Sequence, residues 1–177
     1  MPLQRHMDSG LILLRRIDPA ELSPGEFVQI VRQAVEEENV RMLIIDSLNG
    51  YFNAMPQERF LTEQLHELFA YLSQRGIVTI LVLAQHGLVG HMQSIVDLTY
   101  LADTVVLMRF FEVAGQLKKA ITVIKKRSGS HEETIREYRV AGAMGLSVGP
   151  ALVKFHGILT GIPTFSDSGT NGPQERK

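Results

Sequence analysis

The sequence predicts an α/β fold in which a small parallel sheet with flanking helices leads into a mostly antiparallel β region. Three observations carry this. Two short apolar runs, at residues 41–46 (RMLIID) and 77–84 (IVTILVLA), read as strands buried on both faces, as in parallel sheets. Ahead of each run stands a stretch with apolar residues at helical spacing. Beyond residue 104 the pattern turns β-rich and partly alternating, with turn residues between the runs. The first half therefore reads β-α-β-α-β, the second as antiparallel strands.

In chain order, residues 1–10 read as a flexible N-terminus, and residues 11–14 (LILL) as a first strand. Ser23, Pro24 and Glu26 form a helix start. Ser23 is the N-cap, Pro24 takes the first helical position, and Glu26 closes a capping box. Phe27, Ile30, Val31, Ala34 and Val35 make one apolar stripe, and Asn39 ends the helix. Residues 47–56 read as a loop, with Tyr51 and Phe52 packing beneath it. A helix over residues 57–75 follows, with Phe60, Leu61, Leu65, Leu68, Phe69 and Leu72 as its stripe and Gly76 just past its end. After the 77–84 strand come a glycine-containing loop (87–94) and a short helix or turn (95–103). Residues 105–113 and 120–126 form a hairpin around Ala114-Gly115-Gln116. Shorter strands follow at 134–140, 146–148 and 153–155, and residues 166–177 read as a disordered tail. Residues 11–165 make one domain.

Composition narrows the function classes. The 177 residues suffice for a sizeable core, and 45% are hydrophobic. A net charge of −1 gives no general electrostatic case for nucleic acid or an anionic membrane. Cysteine is absent, which removes disulfides, thiolate metal ligands and a thiol nucleophile and fits a cytoplasmic protein. No apolar run approaches the roughly 20 residues of a membrane helix.

Chemistry concentrates in three places. Asp46 ends the 41–46 strand with Ser47 beside it, where open α/β sheets bind ligands. It suits a metal or a phosphate-bound magnesium, or else simply caps a turn. Gln85 ends the second strand in the same way. Lys125 and Arg127 project to one face of a strand, and His131 follows a Ser/Gly turn. This set can grip a phosphate chain, or it is a solvated basic strand end. No G-x-x-x-x-G-K-[ST] or G-x-G-x-x-G phosphate cradle occurs, and no G-x-S-x-G nucleophile elbow. His86, His91, Asp97 and Asp103 match no standard metal spacing.

Taken together, RMLIIDSLNG (41–50), TILVLAQHG (79–87), IKKRSGSHEETIREYRV (124–140) and GILTGIPTF (157–165) resemble the KaiC-type branch of the RecA-like ATPases. The first is similar to that family's Walker B strand and the second to its sensor strand. The third is similar to the K-x-R-x-x-x-H stretch presented to a neighbouring subunit's nucleotide. The resemblance implies a RecA-like P-loop NTPase core and a set of roles. Asp46 holds magnesium, through water, with Ser47 alongside. Gln85 senses the γ-phosphate or attacking water. Lys125 and Arg127 reach ATP on an adjacent subunit, with His131 beside them.

The departures bear equally on function. The family's P-loop and its catalytic glutamate pair are missing, so the chain is expected to be the second half of such a domain. ATP and magnesium are the family's cofactors, yet the isolated chain is expected to be inactive, although members hydrolyse ATP and some are autokinases. The family's P-loop strand lies beside the sensor strand. Its absence is expected to leave the edge of residues 77–84 open to self-pairing or strand exchange. The expected partners are a second copy, as a homo-oligomer or swapped dimer, or a complete KaiC-like subunit. The alternative function is a non-enzymatic self-association or docking module.

Overall fold

A computed structural model of the chain describes residues 3–54, 60–84, 99–159 and 164–165. They fall into two compact units, the first built from residues up to 84 and the second from residue 99 onward. The readings for residues 85–98, including Gln85, and for the 166–177 tail lie outside the described residues.

In the first unit a short helix, α1 (Leu3–Asp8), precedes an irregular segment and then α2 (Pro24–Glu37). The capping box forms as its residue types require. The backbone N–H of Glu26 donates to the Ser23 hydroxyl, and the N–H of Ser23 donates to the Glu26 carboxylate at 2.8 Å. The helix ends where Asn39 turns into the left-handed region, with φ 56°. Strand β1 (Met42–Asp46), helix α3 (Leu48–Ala54), helix α4 (Leu61–Gln74) and strand β2 (Val78–Val82) follow. β1 and β2 pair in parallel, with Met42 opposite Val78 and Asp46 opposite Val82. α4 closes in a Schellman motif. Gly76 adopts φ 69°, and the N–H of Ile77 donates to the carbonyl of Leu72 at 2.9 Å.

The core of this unit joins Phe27 and Val31 of α2, Leu48 and Tyr51 of α3, and Leu61, Leu65, Leu68 and Leu72 of α4. The rings of Phe27 and Tyr51 lie 5.0 Å apart. Three expectations are corrected here. Residues 11–14 form no strand, and Leu11, Leu13 and Leu14 are exposed; an apolar run becomes a strand only when a neighbour supplies its ladder. Residues 48–54 are helical rather than loop, because Leu48 and Tyr51 fall on one side of a helical turn and bury there. Phe60 precedes the first turn of α4 and is exposed instead of joining its stripe.

Among the described residues the two-stranded sheet is covered on one face only. Leu43, Ile45, Thr79 and Leu81 are half-buried, and α4 packs on β2. On the other face Met42, Ile44, Val78, Ile80 and Val82 are 39–58% exposed. Among the described residues β2 pairs with β1 alone.

The second unit is an antiparallel meander of β3 (Thr104–Val113), β4 (Gln116–Lys126), β5 (Arg136–Ala141) and β6 (Gly145–Ala151), in that spatial order. The β3–β4 connection is a two-residue turn with both residues left-handed, Ala114 at φ 49° and Gly115 at φ 71°. This is the hairpin geometry that matches strand twist. A small core of Phe111, Ala120 and Ile158 is packed by Val113, Ile135, Leu152 and Phe155. The buried Arg109 reaches across to donate to the carbonyl of Leu159. The last strands are β7 (Phe155–His156), which starts two residues and ends one residue later than the 153–155 expectation, and β8 (Thr164–Phe165), which pair with each other.

Candidate functional site

Asp46 stands at the carboxyl end of β1, as its place after four apolar residues requires. It belongs to the exposed alternation of the strand, on the same face as Ile44, so its carboxylate is open to a ligand. A cis peptide joins it to the half-buried Ser47, and the chain then enters α3. The next polar residue, Asn49, is buried and ties α3 to the end of the neighbouring strand. Its Nδ2 donates to the carbonyl of Ala84 at 2.7 Å, and the N–H of Ala84 donates to its Oδ1 at 2.6 Å. The exits of both parallel strands are thereby held together, one residue before Gln85.

The loop expected over residues 47–56 gave Asn49 no role of its own. Its signal was the helical spacing of Leu48 and Tyr51 around it, which turns Asn49 inward. A buried amide there needs partners, and a strand end supplies both a donor and an acceptor.

The basic set lies in the second unit. Lys125 donates to the carbonyl of Thr99 at 2.7 Å. Arg127 pairs with Asp103 at 2.7 Å, donates to the carbonyl of Tyr100 at 3.3 Å, and its backbone N–H bonds the carbonyl of Asp103. Both cations thus engage residues 99–103. The intervening Lys126 turns to the carbonyl of Ser130 at 3.1 Å. His131 is half-buried, and the following Glu132 accepts from the hydroxyl and N–H of Thr134 and from Arg136. Those bonds hold the Glu132 carboxyl below its ordinary value, the Thr134 hydroxyl contributing most. The Arg127–Asp103 pair is largely exposed, so it is weak and screened by salt.

The structure therefore joins Asp46 and Ser47 to the exit of β2, and Lys125 to Arg127 through their shared segment. The two groups belong to different units. Among the described residues no cluster of three or more His, Asp or Glu could hold a metal by side chains alone. One exposed carboxylate with a neighbouring hydroxyl fits magnesium, which keeps most of its waters and needs one or two carboxylates alongside phosphate oxygens. Also among the described residues, no helix is long and apolar enough to cross a membrane.

The family model ATPase: KaiC matches residues 14–153. The circadian clock oscillator protein KaiC of Prochlorococcus marinus subsp. pastoris is 25% identical over 158 residues, covering 88% of this chain and 30% of that protein. The circadian clock protein KaiC3 of a Synechocystis species is 25% identical over 139 residues, covering 77% and 27%. KaiC of Synechococcus elongatus is 24% identical over 148 residues, covering 82% and 28%. The chain thus spans under a third of the length of these relatives. With a parallel β-α-β unit whose first strand ends in an acid and a family match over most of its length, the chain belongs to the KaiC ATPase family and carries its RecA-like α/β architecture.

Proposed function

We propose that the chain supplies part of a magnesium-nucleotide site in a KaiC-like ATPase domain. The observation that carries this reading is Asp46 at the carboxyl end of a parallel strand, beside a β2 exit fixed by Asn49. Asp46 orients magnesium through its waters, with Ser47 beside it. Gln85, immediately after the clamped Ala84, senses the terminal phosphate or the attacking water. Lys125 and Arg127, with His131 alongside, reach the phosphates bound by an adjacent subunit, exchanging their present carbonyl and Asp103 contacts for phosphate oxygens. Magnesium would supply neutralisation of the phosphate charge, and Lys125 and Arg127 would add charge stabilisation from a second subunit.

The sequence contains no glycine-rich phosphate cradle, so the isolated chain is expected to show no ATP turnover. The test is calorimetric titration of Mg-ATP into the chain. Micromolar binding that disappears in Asp46→Ala supports a site within the chain. Absence of binding, with stimulation of a full-length KaiC relative that is lost in Arg127→Ala, supports the contribution to a neighbour. Absence of both overturns the nucleotide reading.

A second reading is favoured by the bare face of the β1–β2 sheet: a docking module without catalysis of its own. On it the chain associates with a partner, a second copy or a complete KaiC-like subunit, and Asp46→Ala leaves that association intact.

A further inference from the structure

We infer that the groove between α2 and α4 binds a free α-amino acid with an apolar side chain. The inference stands apart from nucleotide binding, because it uses no residue of the proposed magnesium-phosphate set. The groove follows from helical spacing. Gly25, Val28 and Arg32 lie at i, i+3 and i+7 on α2. Gln64, Glu67, Leu68 and Tyr71 lie at i, i+3, i+4 and i+7 on α4. Each set makes one helix face, and the two faces line a cavity of about 260 Å³. Pockets for drug-sized ligands begin at about 300 Å³, so the occupant is small.

The polar groups of this lining are short of partners. Among the described residues the Oε1 of Gln64 is shielded from solvent and accepts no hydrogen bond. A buried amide oxygen without a donor is costly, and the soft last torsion of glutamine lets it turn to meet one. Glu67 is exposed, and among the described residues its carboxylate has no hydrogen-bond or ion-pair partner. Arg32 is oriented by an aromatic ring. Its guanidinium carbon lies 4.9 Å from the centre of the Tyr71 ring. The Glu36 carboxylate stands 3.7 Å from Arg32, outside hydrogen-bond range, and accepts instead from the Tyr71 hydroxyl at 2.6 Å. The N–H fork of Arg32 is thus available to a second carboxylate.

These groups define the ligand. A guanidinium takes a carboxylate bidentately. A carboxylate and an amide oxygen together call for an ammonium, which carries three donors on one atom. Val28, Leu68 and the Tyr71 ring offer apolar surface to a side chain. A free α-amino acid bears all three features on one carbon. The end of a peptide bears only one of the two charges, and a simple anion leaves Glu67 and Gln64 unmatched. Gly25 lines the groove without a side chain, and a Cβ placed there meets nothing within 4 Å. Room is thus left where α2 begins.

The experiment titrates L-leucine into the isotope-labelled full chain and follows backbone amide shifts by NMR. Binding is expected with a Kd of about 0.1–1 mM, as suits so small a ligand, with shifts centred on Gly25, Val28, Gln64 and Leu68. N-acetylleucine lacks the ammonium and leucinamide lacks the carboxylate. Each is expected to bind about tenfold more weakly or worse. Glu67→Gln is expected to weaken leucine about tenfold and to leave N-acetylleucine unchanged. Gly25→Leu fills the groove and is expected to abolish binding. Glu63→Gln, on the same helix but outside the lining, is expected to change nothing. Circular dichroism shows which variants keep the fold, and if Gly25→Leu does not, Glu67→Gln carries the test alone. Absence of shifts at about 10 mM leucine overturns the inference. So does equal binding of leucine and N-acetylleucine, which marks a simple carboxylate site or a peptide C-terminus, and so does equal binding of leucinamide. Leucine binding that survives a folded Gly25→Leu also overturns it, because the ligand then sits elsewhere.

Discussion

The side chain of Asn49 brackets Ala84, accepting from its N–H at 2.6 Å and donating to its carbonyl at 2.7 Å. A buried amide matched on both sides is worth more than one bond, since its loss strands a backbone donor and acceptor. Asn49→Ala is expected to destabilise the first unit by about 2 kcal/mol. Asn49→Asp removes the donor and sets a carboxylate against the Ala84 carbonyl, so it is expected to cost at least as much near neutral pH. Urea denaturation followed by circular dichroism checks both, and a pair of neutral substitutions would show that the bracket is dispensable.

The capping box gives α2 a pH dependence. Bonds from the Ser23 N–H, the larger cause, and from the Ser23 hydroxyl hold the Glu26 carboxyl below its ordinary value. A carboxyl lowered in the folded state contributes stability that is present above the unfolded value of about 4.3. That contribution fades as pH falls through the lower folded value. Ser23→Ala is expected to cost about 1 kcal/mol at neutral pH. It should also flatten the acid limb of the stability curve in part, since the backbone N–H of residue 23 remains, and thermal melts between pH 3 and pH 7 would reveal this.

Gly76 ends α4 at φ 69°, with nothing within 4 Å of the position a Cβ would take. The cost of Gly76→Ala is therefore backbone strain rather than collision. It is expected to be about 1 kcal/mol, visible as a lower melting temperature. Gly76→Asn is expected to cost less, because asparagine tolerates the left-handed region as it does at Asn39.

Arg127→Ala removes an exposed ion pair, and its effect on stability is expected to stay below about 1 kcal/mol and to shrink further in high salt. The change is thus suited to functional assays. A loss of effect on a partner's ATPase in this variant would report phosphate contact, provided denaturation curves overlay those of the parent chain.

The parts of the fold that local chemistry decides were legible in the sequence. Ser23, Pro24 and Glu26 mark a helix start wherever they occur, and Ala114-Gly115 between two β-rich runs marks a tight hairpin. The periodic stripe of α4 and the apolar runs of β1 and β2 were equally plain, as was Asp46 at a strand end. Features decided by neighbours were not. Residues 11–14 have strand composition but no ladder. Residues 48–54 contain Asn, Gly and Asn, which favour turns, yet burial of Leu48 and Tyr51 makes them helical. The spacing of Leu48 and Tyr51 signals that Asn49 turns inward, but its partner, Ala84, lies 35 residues away and is a tertiary fact. The basic set of Lys125, Arg127 and His131 was visible as residue types, whereas the present hold of residues 99–103 on Lys125 and Arg127 is a tertiary fact.

The order of strands in the second unit also bears on how the chain acquires its shape. β3 and β4 are joined by two residues, and each later strand of the meander lies beside its predecessor in sequence. Such local pairings close small loops, and an isolated hairpin forms in about 1–10 μs. β1 and β2, by contrast, meet only after two helices have been laid down between them. The meander is therefore expected to be the early nucleus of folding, and the strand that carries Asp46 the late arrival.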